Sequence, residues 1–146
     1  MKSSIAAGLA VLAMIGTDQF AFADGGAVRV RISGFRNGEG DLACALFASA
    51  ASFLGVEPFA KVKVPAGPSG TECVFRGIPA GRYAVSVLHD ENRNGKMDRV
   101  PLIGLPREGY GVSNNKTYST HPPVFEESAF EFDGKADLVL DIRLRY

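Results

Sequence analysis

From Val28 onward apolar and polar side chains alternate, with Val28, Val30 and Ile32 set between Arg29, Arg31 and Ser33. A period of two puts every second side chain on the same face, so 28–35 is predicted to be a strand with one dry side. Asn37-Gly38-Glu39-Gly40 turns the chain, and a second strand over 41–49 is predicted to close a hairpin with the first. A short helical turn at 52–55 precedes further alternation over 59–64, a Pro- and Gly-rich loop over 65–70 and a strand over 71–78. The compact turn Gly77-Ile78-Pro79-Ala80-Gly81 then delivers Tyr83 to His89 as another strand. Residues 100–123 are rich in Gly, Pro, Asn and Ser with few periodic apolar positions. They are expected to form a long ordered loop, pinned by Leu105, Tyr110, Val112 and Tyr118. Two last strands, 125–132 and 136–144, meet at Asp133-Gly134-Lys135. About seven short strands with a turn signal roughly every ten residues predict an all-β, antiparallel β-sandwich.

The N-terminus follows a different pattern. Lys2, an apolar run from Ile5 to Ile15 and Ala21-Phe22-Ala23 match the parts of a secretory signal peptide, so residues 1–23 are expected to be removed, leaving 24–146 as one domain. The run is far short of the roughly 20 apolar residues that span a bilayer. No cysteine follows it for lipid attachment, so no transmembrane segment or lipid anchor is expected after cleavage. The predicted location is periplasmic or extracellular. Sixteen basic and sixteen acidic side chains cancel, without long runs of either sign, which excludes an electrostatic footprint for nucleic acid. In an exported chain, the two cysteines Cys44 and Cys73 are expected to pair. Each sits at an inward position of an alternating segment, which argues against a catalytic thiol.

The residues with the most specific chemistry follow the strand that ends at His89. Asp90, Asn92 and Asn94 fall at positions one, three and five of a calcium-loop pattern, with Gly95 at six, the Lys96 carbonyl at seven and Asp98 at nine. Position twelve is Pro101, where an EF-hand has a bidentate glutamate, so the last ligand must come from water or from elsewhere, with Glu108, Glu126 and Glu127 as candidate donors. A strand leads into the loop, so this is not a calcium-sensor helix pair. Only two carboxylates lie in the loop, with Arg93 and Lys96 opposing a cation. The expected affinity is therefore that of extracellular modules, about 0.1 to 1 mM. A bare type I′ hairpin at Asn94-Gly95 is the competing reading.

Other chemistry is less developed. His89 and His121 are the only histidines and could act as an acid/base pair or hold a transition metal; a strand-terminal histidine more often serves as a structural hydrogen-bonding residue. Ser113 and Ser119 lack a nucleophile-elbow context. Tyr110, Tyr118, Phe125, Ser113, Asn114 and Asn115, with His89 nearby in sequence order, could make a polar-aromatic surface for a protein or glycan ligand, or could pin the long loop to the sandwich.

Three blocks carry a resemblance: Gly77-Ile78-Pro79-Ala80-Gly81 through Tyr83, His89-Asp90, Asn92, Asn94-Gly95-Lys96 and Asp98; then Gly104, Pro106, Glu108-Gly109-Tyr110-Gly111 and Ser113-Asn114-Asn115; then Pro123 and Phe125-Glu126-Glu127. Together they resemble the bacterial family of small exported proteins defined as the domain of unknown function DUF2141. That resemblance implies an exported single domain and assigns no activity. The Gly-x-Pro-x-Gly-x-Tyr-x-Val piece also resembles transthyretin-like sandwiches, found as accessory domains of carboxypeptidases and outer-membrane receptors. The branch of that fold that hydrolyses 5-hydroxyisourate ends in Tyr-Arg-Gly-Ser, whereas this chain ends Leu144-Arg145-Tyr146. The sequence thus points to a calcium-ordered binding or structural module of the cell envelope. The alternative is an envelope hydrolase with a site near His89 and the 104–125 segment.

Overall fold

The computed structural model describes residues 25–67, 69–117 and 120–146; the expected signal peptide, Tyr118 and Ser119 lie outside these residues. Among the described residues there are eight strands: β1 (Val28–Ser33), β2 (Asp41–Phe47), β3 (Ala60–Pro65), β4 (Thr71–Phe75), β5 (Gly81–Asp90), β6 (Gly109–Val112), β7 (Phe130–Phe132) and β8 (Leu138–Arg143). They form a three-stranded sheet in the order β4-β1-β8 and a five-stranded sheet in the order β3-β2-β5-β6, with β7 also on β5. The expected all-β sandwich is therefore the fold. No helix among the described residues is long and apolar enough to cross a membrane.

The core lies between the sheets. Val28, Val30 and Ile32 from β1 meet Leu42, Cys44 and Leu46 from β2 and Val85 and Val87 from β5, all fully or almost fully buried. Cys44 and Cys73 form a disulfide with Cα atoms 6.7 Å apart. Because Cys44 belongs to β2 and Cys73 to β4, the bond joins the two sheets through the middle of the core.

Four local expectations are corrected. The β1–β2 hairpin does not form: β1 pairs with β4 and β8, while β2 pairs with β3 and β5. Alternation specifies a face and not a neighbour, so the turn at 37–40 carries the chain from one sheet to the other. The sandwich is also not wholly antiparallel, since β1 and β8 run parallel.

The third correction concerns residues 100–123, which contain β6 and a 3₁₀ turn at Ser113–Asn115. The glycines that hide β6 are required by close packing. A Cβ at Gly109 would lie 2.5 Å from the Tyr146 ring, and one at Gly111 would lie 2.6 Å from Ile142 Cγ2. Finally, the segment 125–132 is a one-turn helix, α1 (Phe125–Ser128), followed by the short β7. Phe125 turns inward to stack edge-on with Phe53, and Phe53 in turn with Phe47.

β6 and β7 sit end to end along the same edge of β5, β6 opposite 86–89 and β7 opposite 81–83. Ser113 bridges the gap between them. Its Oγ accepts a hydrogen bond from the Val85 amide at 2.9 Å and donates one to the Ser128 carbonyl at 2.5 Å. This fully buried serine takes the place of a missing ladder partner, which is its role in the structure.

Candidate metal centre

β5 runs straight into the predicted cation loop and ends at Asp90, whose side chain is 1% exposed. Its two oxygens accept the amides of Asn94, at 3.0 Å, and Gly95, at 2.8 Å. Asn92 Oδ1 accepts the Asn94 amide and Asn94 Oδ1 accepts the Lys96 amide, at 3.1 and 3.0 Å. These are successive Asx turns, which coil the backbone around short polar side chains. The coil needs left-handed residues at Arg93 (φ 57°) and Gly95 (φ 78°). A type I′ turn would instead need positive φ at both Asn94 and Gly95. Asn94 is not among the positive-φ residues, so the bare hairpin is not the structure of this loop.

The far end of the loop is tied back in two ways. Asn92 Nδ2 and Asn94 Nδ2 donate to the two oxygens of Asp98, at 2.6 and 2.8 Å. These bonds, Asn94's first, hold the Asp98 carboxyl below the usual carboxylate range. Glu108, 4% exposed, accepts the Glu91 amide at 3.1 Å and the Asp98 amide at 3.0 Å, one on each oxygen. It therefore clips the loop's entry to its exit from the head of β6. Of the three glutamates considered for a closing ligand, Glu108 alone reaches the loop. Glu126 pairs with Arg82, eight residues back along β5 from Asp90, about 26 Å at the rise of a strand, and Glu127 lies within 3.9 Å of Lys116. Nothing in local spacing distinguished Glu108, because its approach depends on β6 pairing with β5.

The loop carries the donor types that a hard cation takes. Asp90 and Glu108 are almost wholly buried, and neither makes an ion pair with a basic side chain among the described residues; Arg93 is committed to Asp41 at 3.3 Å. Buried carboxylates are ordinarily paired or bound to metal. Among the described residues no three His, Cys, Asp or Glu side chains gather as a metal cluster. Asp90, Asp98 and Glu108 therefore do not by themselves converge on one point, and a cation here would depend also on the Asn92 and Asn94 amides and the Lys96 carbonyl, donor types that calcium accepts and zinc does not favour.

The other sequence-predicted residues do not assemble into a surface. His89 is fully buried. Nε2 lies 2.6 Å from the Glu39 carbonyl, which can only accept, so that nitrogen carries the proton, and Nδ1 lies 2.7 Å from the Tyr146 hydroxyl. Arg36 stacks over the same Tyr146 ring at 4.5 Å and pairs with Glu91. His89 is thus an anchor for the chain end, and His121 is an exposed residue elsewhere. Phe125 and Ser113 are buried in the packing already described. Asn114 donates to the Glu127 and Ala129 carbonyls, and Asn115 bonds the backbone of Asp141 and Arg143 beside β8. Asn114 and Asn115 are exposed, and Tyr110 is half-exposed on the outer face of the five-stranded sheet.

The family model described as an uncharacterized protein conserved in bacteria, DUF2141, matches residues 30–139. The chain belongs to the DUF2141 family. The matched stretch contains the disulfide, the whole 90–98 loop and Glu108. No curated protein and no solved structure matches this DUF2141 chain, so the transthyretin-like resemblance rests on its short motif.

Proposed function

We propose that this DUF2141 chain is an exported β-sandwich whose 90–98 loop is ordered by calcium, and that it serves as a binding or structural module of the cell envelope. One observation supports this reading above the rest. Two buried carboxylates without a cationic partner among the described residues, Asp90 and Glu108, cap the two ends of a loop built from Asx turns. Asp90, Asn92, Asn94, the Lys96 carbonyl and Asp98 are the proposed ligands, with Glu108 closing the sphere in place of the absent position-twelve glutamate. Bound calcium would neutralise the buried charge and fix the loop against β5 and β6. An inter-sheet disulfide and a leading apolar segment favour export over a cytoplasmic location. A hydrolase centred on His89 fits poorly, because both ring nitrogens are engaged in a fully buried site.

The test is a thermal melt with about 5 mM calcium and again with chelator. For a dissociation constant of about 0.1 to 1 mM, linkage predicts about 1 to 2.3 kcal/mol of added stability, a rise of several degrees. Asp90→Ala should melt at the same temperature in both buffers. Coincident wild-type melts would refute the site.

A further inference from the structure

Over β2, β5 and β6 the outer face of the five-stranded sheet is largely apolar where a sandwich normally meets water, while Lys61 and Lys63 of β3 stand exposed at the end of the same rows. Side chains opposite one another across β2, β5 and β6 form two rows, Ala43–Leu88–Tyr110 and Ala45–Ser86–Val112. A strand that is apolar on both faces needs a cover on both. Here the cover is partial. Leu54 and Val56 rise on one side, and Met97, Leu105 and Pro106 on the other, enclosing an open groove of about 790 Å³. Val56 is 97% and Leu105 58% exposed, so these walls are apolar surface facing solvent. The volume falls within the range of small-molecule sites, roughly 300 to 1,000 Å³.

The charge of the lining narrows the ligand. Among the described residues no Asp or Glu lines the groove, whereas Lys96 and Arg99 do, both exposed and in no salt bridge. Arg99 is held in place by its bond to the Gly104 carbonyl at 2.9 Å, which leaves the rest of the guanidinium fork for a ligand. We propose that this groove binds an anionic amphiphile, a single aliphatic chain lying on the Ala43–Ala45 floor with its carboxylate or phosphate at Arg99 and Lys96. Guanidinium matches such head groups through paired hydrogen bonds. This deepens the binding-module reading, and one wall is the cation loop itself.

Fluorescence titration of the calcium-loaded protein with a dansyl-labelled undecanoate, and with its uncharged methyl ester, tests the idea. The acid should bind at least tenfold more tightly than the ester. Arg99→Glu should abolish that preference while leaving ester binding in place, and Ala45→Phe, which fills the floor, should abolish both. Equal binding of acid and ester, or acid binding that survives Ala45→Phe, would overturn the proposal. Near-ultraviolet circular dichroism confirms that each variant is folded, and Arg99→Glu, on the surface, gives the answer if Ala45→Phe does not fold. Pelleting with phosphatidylglycerol vesicles separates the two sources of such a group. Pelleting lost in Ala45→Phe assigns a lipid, soluble acid binding without pelleting assigns a free acid, and pelleting that persists in Ala45→Phe counts against the groove. The calcium melt on the same samples keeps the two claims apart, since a normal calcium shift with no probe binding sinks the groove alone.

Discussion

Reducing the Cys44–Cys73 bond should lower stability by more than any single side-chain change at the surface. The sulfurs are separated by 29 residues in sequence and join β2 of one sheet to β4 of the other. In the chain-entropy treatment, a closed loop of that length restricts the unfolded state by about 12 cal/mol/K, or about 3.6 kcal/mol at room temperature. A domain of about 120 residues unfolds with an entropy of about 250 cal/mol/K, so the expected fall in melting temperature is about 14 °C. Urea unfolding of the oxidised protein, the protein kept reduced, and the Cys44→Ala/Cys73→Ala variant measures this directly. The double variant should lose about 1 kcal/mol more than the reduced protein, because two sulfurs at fully buried positions are removed as well. A reduced protein within 1 kcal/mol of the oxidised one would refute the reasoning. Contact between β2 and β4 would then have to persist in the unfolded chain, leaving the bond little entropy to remove.

Glu108→Gln keeps the shape of the loop clip but replaces one of the two acceptors facing the Glu91 and Asp98 amides, so it should cost about 1 to 3 kcal/mol and shrink the calcium-induced rise in melting temperature; an undiminished calcium shift would remove Glu108 from the ligand set. Tyr146→Phe takes the hydroxyl from buried His89 Nδ1 and should cost a similar amount, read as a lower urea midpoint at constant slope. Acid should destabilise the fold through several carboxylates held below their ordinary values: Asp41 chiefly by Lys63, Asp98 by Asn94, and Asp137 by Arg29. Burial pushes Glu91 up, but its hydrogen bonds from Asn37 and Arg36 outweigh that and lower it. With folded values below unfolded ones of 3.8 for Asp and 4.5 for Glu, the unfolded chain binds more protons in that window. Their contribution is therefore complete above about pH 4.5 and is lost as pH falls through 4 and below, which a series of melts from pH 7 to 3 will reveal.

The sequence alone determined that β1 to β5 and β8 become strands, which of their side chains face inward, and that Cys44 and Cys73 would meet, because alternation and the count of cysteines are local properties of the chain. It also determined the Asx-turn loop at 90–98, where each short polar side chain bonds an amide only two to five residues away. Only the tertiary structure decided that β1 leaves β2 for β4 and β8, since strand pairing joins residues far apart in sequence. It likewise decided that Gly109-Tyr110-Gly111 is a strand, for those glycines make sense only against Tyr146 and Ile142. Ser113, Asn114 and Asn115 stayed open between a ligand surface and a pinned loop because polar groups on a loop have the same composition whether they face solvent or stitch backbone. The β5–β6–β7 edge and β8 assign them to the backbone. Glu108 reached the 90–98 loop, and the apolar face of β2 and β5 opened into a groove, for the same reason: both depend on which strands stand side by side, a long-range choice made by the packed core.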